Sequence, residues 1–297
     1  MLLTFGLRLA DAIVSRLPAR AAYLLADVGG DAWHRLAPRR RALVTANLAR
    51  VSRAIGRPDS GRRLRRLVRD AFRAHARYYV ELLRYRTYGP EHVREHIGID
   101  DWDRLEGELR GQATVIALPH LGNFEPLGNF LGLHGLPATA PIEEIEPPGL
   151  FEFIMARRAS GSASVQVVPL SRARRPMFDA LRRGEMVALV ADRDISGDGL
   201  PVTLFGHPTT LPAGPATLTL LGGARLMTAR VLRVAPDQFR GSGTWLDVEL
   251  SGDRRADIAT MTQRIAERFE AAIAEAPEQW WGAFQPIWPD LAGGDAS

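Results

Sequence analysis

Three features of this chain predict an α/β fold with a sheet flanked by helices: a helical first third, alternating apolar and amphipathic runs after it, and enough length and hydrophobicity for a sizeable core. Arg, Leu and Ala recur at helical spacing up to about residue 110, as in 39–44 and 62–69. From about residue 112 short apolar runs alternate with helical patterns, which implies helices packed on the faces of a sheet. The 297 residues are 46% hydrophobic and 24% charged, so one large domain can bury its own core.

Taken in order, the first element is an amphipathic helix whose stripe is Leu2, Phe5, Leu9, Ala12 and Ile13, with Arg8 and Arg16 beside it. Two readings stand: a helix docked on the core, or an interfacial helix lying on an anionic membrane with its arginines at the headgroups. The arginines of 62–69 allow the same pair of readings, a solvated face or about 1 kcal/mol per residue of attraction to such a surface. The strands are expected at 114–118, 164–168, 186–191, 202–205, 226–232 and 246–250. Helices are expected at 124–133, 148–158, 176–183, 213–221 and 256–274. The predicted organisation is an N-terminal helical, membrane-associating subdomain over 1–110 and an α/β core over 111–297, within one compact whole.

Composition removes several chemistries. With no cysteine there is no disulfide, thiol nucleophile or thiolate metal site. All 38 basic residues are arginine, and guanidinium groups grip phosphates in bidentate fashion. The net charge of +4 is modest, so a local anionic partner matters more than a global field. The arginines lie on amphipathic helices without interleaved aromatics, which disfavours a nucleic-acid partner and a non-catalytic basic binding module. There is no Gly-x-Ser-x-Gly elbow, P-loop or His-Glu-x-x-His helix. No stretch approaches the roughly 20 apolar residues of a membrane span, and the first residues lack the uninterrupted core of a signal peptide.

The chemistry is expected at Pro119-His120-Leu121-Gly122-Asn123-Phe124-Glu125. A buried strand delivers the imidazole of His120 to its end, a Gly-Asn turn follows, and Glu125 opens a helix with Asn123 as its cap. Five residues apart on one helix the two side chains would point about 140° apart, so they meet only with His120 in the loop and Glu125 in the first turn. The pair His96/Asp101 has the same spacing without strand or turn, and reads as chance.

This segment resembles the His-x-Gly-Asn-Trp-Asp/Glu signature of the bacterial lipid A biosynthesis acyltransferase family, which includes phosphatidylinositol mannoside acyltransferases; Phe124 stands at the Trp position. Three more blocks are similar to the family in order: 141–151 with Arg157, Arg158 and Gly161, then 184–194, then 203–216. Pro277-Glu278-Gln279-Trp280-Trp281 fits its tail, and the wording of the third and fourth blocks leans toward the phosphatidylinositol mannoside branch.

The resemblance implies a glycerolipid-acyltransferase-like fold with a central mixed sheet, on the cytoplasmic face of the inner membrane, needing neither metal nor cofactor. It implies an O-acyltransferase whose partners are an acyl thioester donor (acyl-CoA or acyl carrier protein), a membrane lipid acceptor and an anionic membrane surface. In that mechanism His120 takes the proton of a sugar hydroxyl while Glu125 holds the imidazole tautomer, and backbone N–H groups near the Gly122 turn and the helix start are the candidates to face the oxyanion. Asn123, Glu143, Arg158, Asp192, Arg193 and Asp194 are the expected substrate-binding residues, Glu144 being the alternative to Glu143. Arg158 is assigned the acceptor's phosphate, with an ion pair to Glu143 or Asp194 as its plain alternative. Asp192 and Asp194 serve the site or anchor Arg193 and a turn, and His207 is read as structural. The Trp280, Trp281 and Trp288 rings touch headgroups or pack the C-terminal segment. The acceptor it implies is a phosphatidylinositol mannoside, with lipid A or a lysophospholipid as alternatives.

Overall fold

A computed structural model describes residues 11–145, 147–159 and 164–291, except the side chains of Arg86 and of residues 157–159. The stripe from Leu2 to Leu9 therefore lies outside the described residues. After helical backbone at 11–14 come three long helices: α1 (Ala19–Leu36), α2 (Pro38–Ala54) and α3 (Gly61–Arg84). The buried face of α3 carries Leu64, Val68, Ala71, Phe72, His75, Tyr78 and Leu82, the spacing of an amphipathic helix. Short helices α4 (Pro90–His96) and α5 (Trp102–Leu109) flank strand β1 (Ile97–Ile99) and lead to the sheet.

The strands are β2 (Thr114–Leu118), β3 (Ala138–Ile142), β4 (Val165–Pro169), β5 (Met186–Val190), β6 (Leu200–Leu204), β7 (His207–Leu211), β8 (Arg225–Ala235) and β9 (Gln238–Trp245). Seven of them form one sheet in the order β1-β9-β8-β2-β5-β3-β4. All its pairings are parallel except β8 with β9. Between strands run α6 (Glu125–Leu133), α7 (Pro148–Ala159), α8 (Arg174–Arg182) and α9 (Gly214–Gly222), and α10 (Arg254–Glu275) follows β9. This is the expected mixed sheet flanked by helices. Every residue of β2 is buried, as a continuous apolar run in a parallel sheet requires. The N-terminal helices share the core of the sheet: Val44, Leu48, Val68 and Phe72 cluster with Val115, Ala117 and Leu189.

Several elements depart from the sequence expectation. The segment 246–250 is irregular, and the strand lies just before it at Gln238–Trp245. That strand, Gln-Phe-Arg-Gly-Ser-Gly-Thr-Trp, has no apolar run to announce it. Strand β3 was hidden by its Pro141, and β7 by its polar alternation. His207 opens β7, and the turn before it is Phe205-Gly206, with φ of +50° and +74°, as a tight hairpin to β6 demands.

Candidate active site

The carboxyl ends of neighbouring parallel strands place the site, the usual location for ligands on such a sheet. Strands β2 and β5 pair with Leu118 opposite Val190. Two residues further along each chain come His120 and Asp192, so sheet register brings them together. The Nδ1 of His120 lies 2.5 Å from Oδ1 of Asp192. Asp192 is 1% exposed, and its Oδ2 accepts the indole N–H of Trp280 at 2.8 Å. Burial pushes the Asp192 carboxyl up, but the charge and hydrogen bond of His120 and the Trp280 donor outweigh it and hold it below the usual carboxylate range. Asp192 thus stays ionised and accepts the Nδ1 proton. No other hydrogen bond to the ring exists among the described residues, so Nε2 is the nitrogen free to exchange a proton. The ring edge rests on Trp281, 4.3 Å between centroids at 74°.

The turn after His120 is stitched to two other segments. Trp281 N–H donates to the His120 carbonyl at 2.9 Å, Gly122 N–H to Gln279 at 2.9 Å, and Asn123 N–H to Val231 at 3.1 Å. Gly122 has φ +62°, and a Cβ there would collide with the Val231 carbonyl oxygen, so only glycine fits. The Leu121 N–H donates to Pro119. These amides are occupied, which corrects the expectation that the Gly122 turn supplies oxyanion donors.

Asn123 is buried, and its amide works at both ends: Oδ1 accepts the Glu125 N–H at 3.0 Å, and Nδ2 donates to Glu81 at 2.8 Å. It caps α6 from one position ahead of Phe124, and it is engaged in scaffolding the turn rather than turned toward a substrate. Glu125 begins α6 as expected and is 7% exposed; its Oε1 accepts the Tyr78 hydroxyl at 3.0 Å. The carboxylate bonded to Nδ1 is therefore Asp192, where the resemblance pointed to Glu125.

Glu143 follows β3 and pairs with Arg193, which adjoins Asp192. Glu144 turns to Ser171 instead, accepting its N–H at 3.1 Å and its hydroxyl at 2.8 Å. Geometry thus puts Glu143, not Glu144, beside the centre. Asp194 accepts from Gly197, Gly199 and Thr210 at 2.8–3.0 Å, so it braces its own loop against β7. Arg158 lies on α7, and its side chain is outside the described residues.

Trp280 and Trp288 are fully buried, and each indole N–H has an internal partner, so neither ring reaches headgroups. Sequence reasoning missed Tyr78, His75, Glu81 and Arg233. A signal existed for the first two. They occupy the periodic positions Leu64-Val68-Ala71-His75-Tyr78-Leu82, where apolar residues are the rule, and polar groups on such a stripe mark a site or a network. His75 stacks on Tyr79 with centroids 5.0 Å apart and sits 5.7 Å from Trp281. Among the described residues no group of three His, Cys, Asp or Glu could hold a metal.

A buried carboxylate–imidazole pair with Nε2 open, at the carboxyl edge of an α/β sheet, is a constellation for deprotonating a hydroxyl during group transfer. The model of the family described as bacterial lipid A biosynthesis acyltransferase matches residues 4–288, and this chain belongs to that family: it is an enzyme that transfers acyl groups. It is 32% identical over 249 residues to a phosphatidylinositol mannoside acyltransferase of Mycolicibacterium smegmatis, covering 82% of this chain and 77% of that one. It is 33% identical over 224 residues to the protein of the same description from Mycobacterium tuberculosis, covering 72% and 68%.

Proposed function

We propose that this chain moves a long-chain fatty acyl group from an acyl-CoA or acyl carrier protein thioester to a mannose hydroxyl of a phosphatidylinositol mannoside. The observation that carries this reading is the His120–Asp192 pair, with Nε2 unbonded among the described residues; the names of the relatives supply the acceptor class. Nε2 of His120 takes the hydroxyl proton as the oxygen attacks the thioester carbonyl carbon. The C–O bond forms, the C–S bond breaks, and the proton passes from the imidazolium to the departing thiolate. Asp192 stabilises the imidazolium, and Glu125, fixed by Tyr78, adds a second carboxylate at the start of α6. Glu143 and Arg193 border the acceptor's path, and Arg158 is the residue assigned to its phosphate.

The reaction is assigned to the cytoplasmic face of the inner membrane. No described helix is long and apolar enough to cross a membrane. Yet α1 turns Leu24, Leu25 and Val28 outward at 66%, 51% and 60% exposure, and Arg62, Arg63, Arg65 and Arg66 are exposed on α3. An apolar stripe and a basic face are what an interfacial helix layer needs on anionic lipid. The test is transfer of label from radiolabelled palmitoyl-CoA to phosphatidylinositol mannoside in vesicles. His120→Ala should lower the rate about 10²–10⁴-fold with unchanged circular dichroism. Full transfer by that variant, or consumption of the thioester without a lipid product, overturns the reading.

A further inference from the structure

The turn that carries His120 is anchored in the interior by a charge that takes no part in the chemistry described above. Glu81, on α3, is completely buried. Its carboxylate has four donors: the Tyr23 hydroxyl and Arg233 Nε on Oε1, and Arg233 Nη2 and Asn123 Nδ2, both at 2.8 Å, on Oε2. Tyr23 comes from α1, Arg233 from β8 and Asn123 from the catalytic turn, so three segments converge on a carboxylate carried by a fourth, α3. Burial, and then the Glu81 charge, push the Tyr23 hydroxyl up, which keeps it a donor. Arg233 is itself clamped, its backbone N–H and carbonyl both bonded to the Gln279 side chain at 2.9 and 3.0 Å. The Gln279 carbonyl in turn takes the Gly122 N–H.

A buried ion pair is a poor way to gain stability, because desolvation offsets most of its attraction and a well-packed apolar pair serves as well or better. What it supplies here is direction. Asn123 can present its amide to the interior in either sense, and only one sense leaves Oδ1 toward the Glu125 N–H. An ionised acceptor at Glu81 selects that sense, since it demands the NH₂ end.

We propose that Glu81 is a positioning residue of the acyl transfer, acting through Asn123 to fix the turn between His120 and Glu125. This rests on the reading of His120 as the base, and the closing experiment separates the two. Glu81→Gln presents an NH₂ group to the Asn123 NH₂ or to Arg233, so one donor must turn away. The exchanged pair Glu81→Gln with Asn123→Asp restores a donor facing an acceptor in the opposite sense. It retains the net charge near Arg233 and leaves an oxygen for the Glu125 N–H, while Arg233 gives up one of its two bonds.

The measurements use the full chain with radiolabelled palmitoyl-CoA and phosphatidylinositol mannoside vesicles, alongside hydrogen exchange of the peptide 119–125. Glu81→Gln should lower kcat about 10²-fold, the scale of a misplaced catalytic group, with little change in KM for the thioester and faster exchange in that peptide. The exchanged pair should recover most of both. A folded Glu81→Gln with the parent kcat overturns the proposal, as does an exchanged pair that regains stability without regaining kcat. Should Glu81→Gln alone fail to fold, the exchanged pair and Tyr23→Phe, which removes one of the four donors, decide by the same two readouts. An inactive parent chain, or an active His120→Ala, would count against His120 as base; the exchange pattern of 119–125 would still report on Glu81.

Discussion

Asp192 and Glu125 are the two carboxylates set against His120, one by the sheet and one by the sequence, and Asp192 is the one bonded to its ring. Asp192 is 72 residues from His120 in the chain and reaches it because β5 lies beside β2 with Val190 opposite Leu118. Both of its oxygens are filled, by the ring and by Trp280, and it is sealed from water. Glu125 is the near neighbour in sequence, but it opens the next helix and takes the Tyr78 hydroxyl, while its backbone N–H goes to Asn123. Proximity along the chain builds the turn; proximity across the sheet orients the ring.

The largest effect that can break this comparison comes from exchanging one oxygen for nitrogen on each acid. In Asp192→Asn the amide can still accept from Trp280 but must offer its NH₂ to Nδ1. The neutral ring then carries its proton on Nε2 and cannot act as a base. By the same tautomer logic that governs Ser-His-Asp triads, kcat should fall about 10³–10⁴-fold with the fold intact. Glu125→Gln keeps an oxygen for the Tyr78 hydroxyl and should lose only about tenfold, the scale of one charge in partly screened surroundings. Steady-state rates for the two variants under one set of conditions check the order, and a reversed order would move the orienting role to Glu125.

A second test bears on the backbone that both acids depend on. Gly122→Ala adds a Cβ that meets the Val231 carbonyl, at a φ of +62° that disfavours side chains. Strain of this kind costs about 1–3 kcal/mol, and relieving the clash requires the turn to leave β8. Urea unfolding should show at least that loss, together with a fall in kcat larger than that of Glu125→Gln. Parent-like stability in Gly122→Ala would mean that the turn is not seated on β8.

These differences also explain what the sequence discloses. The strand before His120, the Gly-Asn turn and the helix at Glu125 are local, so a window of about a dozen residues contains them. The His120–Asp192 bond depends on strand order, since β5 inserts between β2 and β3, and no window shows that. Strands β3 and β9 were missed because a proline and two glycines break the apolar pattern that elsewhere marks a strand. Glu81 was invisible for another reason. In a helix rich in arginine a lone glutamate reads as a surface charge, and only the three-dimensional meeting with Arg233 and Asn123 buries it.

The smallest expected effect separates the apolar flank of the site from its charged one. Burial, then the charges of His120 and Arg40, push His75 from an ordinary value of 6.5 down to about 3, so it is neutral wherever the enzyme works. The unfolded chain takes up this proton below pH 6.5 and the folded chain declines it until about pH 3. Folded stability is therefore complete above 6.5 and drains away on acidification through that window, at a limiting slope of about 1.4 kcal/mol per pH unit. His75→Phe retains a ring against Tyr79 and Phe284, and gives up no partner at Nδ1, which is buried and unbonded. Denaturant unfolding between pH 6.5 and pH 4 should show a shallower acid limb in the variant by about 1 kcal/mol per pH unit. The pH profile of kcat should keep its shape, because a group already neutral has no proton to contribute. An unchanged acid limb would assign the lost protons elsewhere, and a displaced kcat profile would mean that His75 speaks to His120 through more than its bulk.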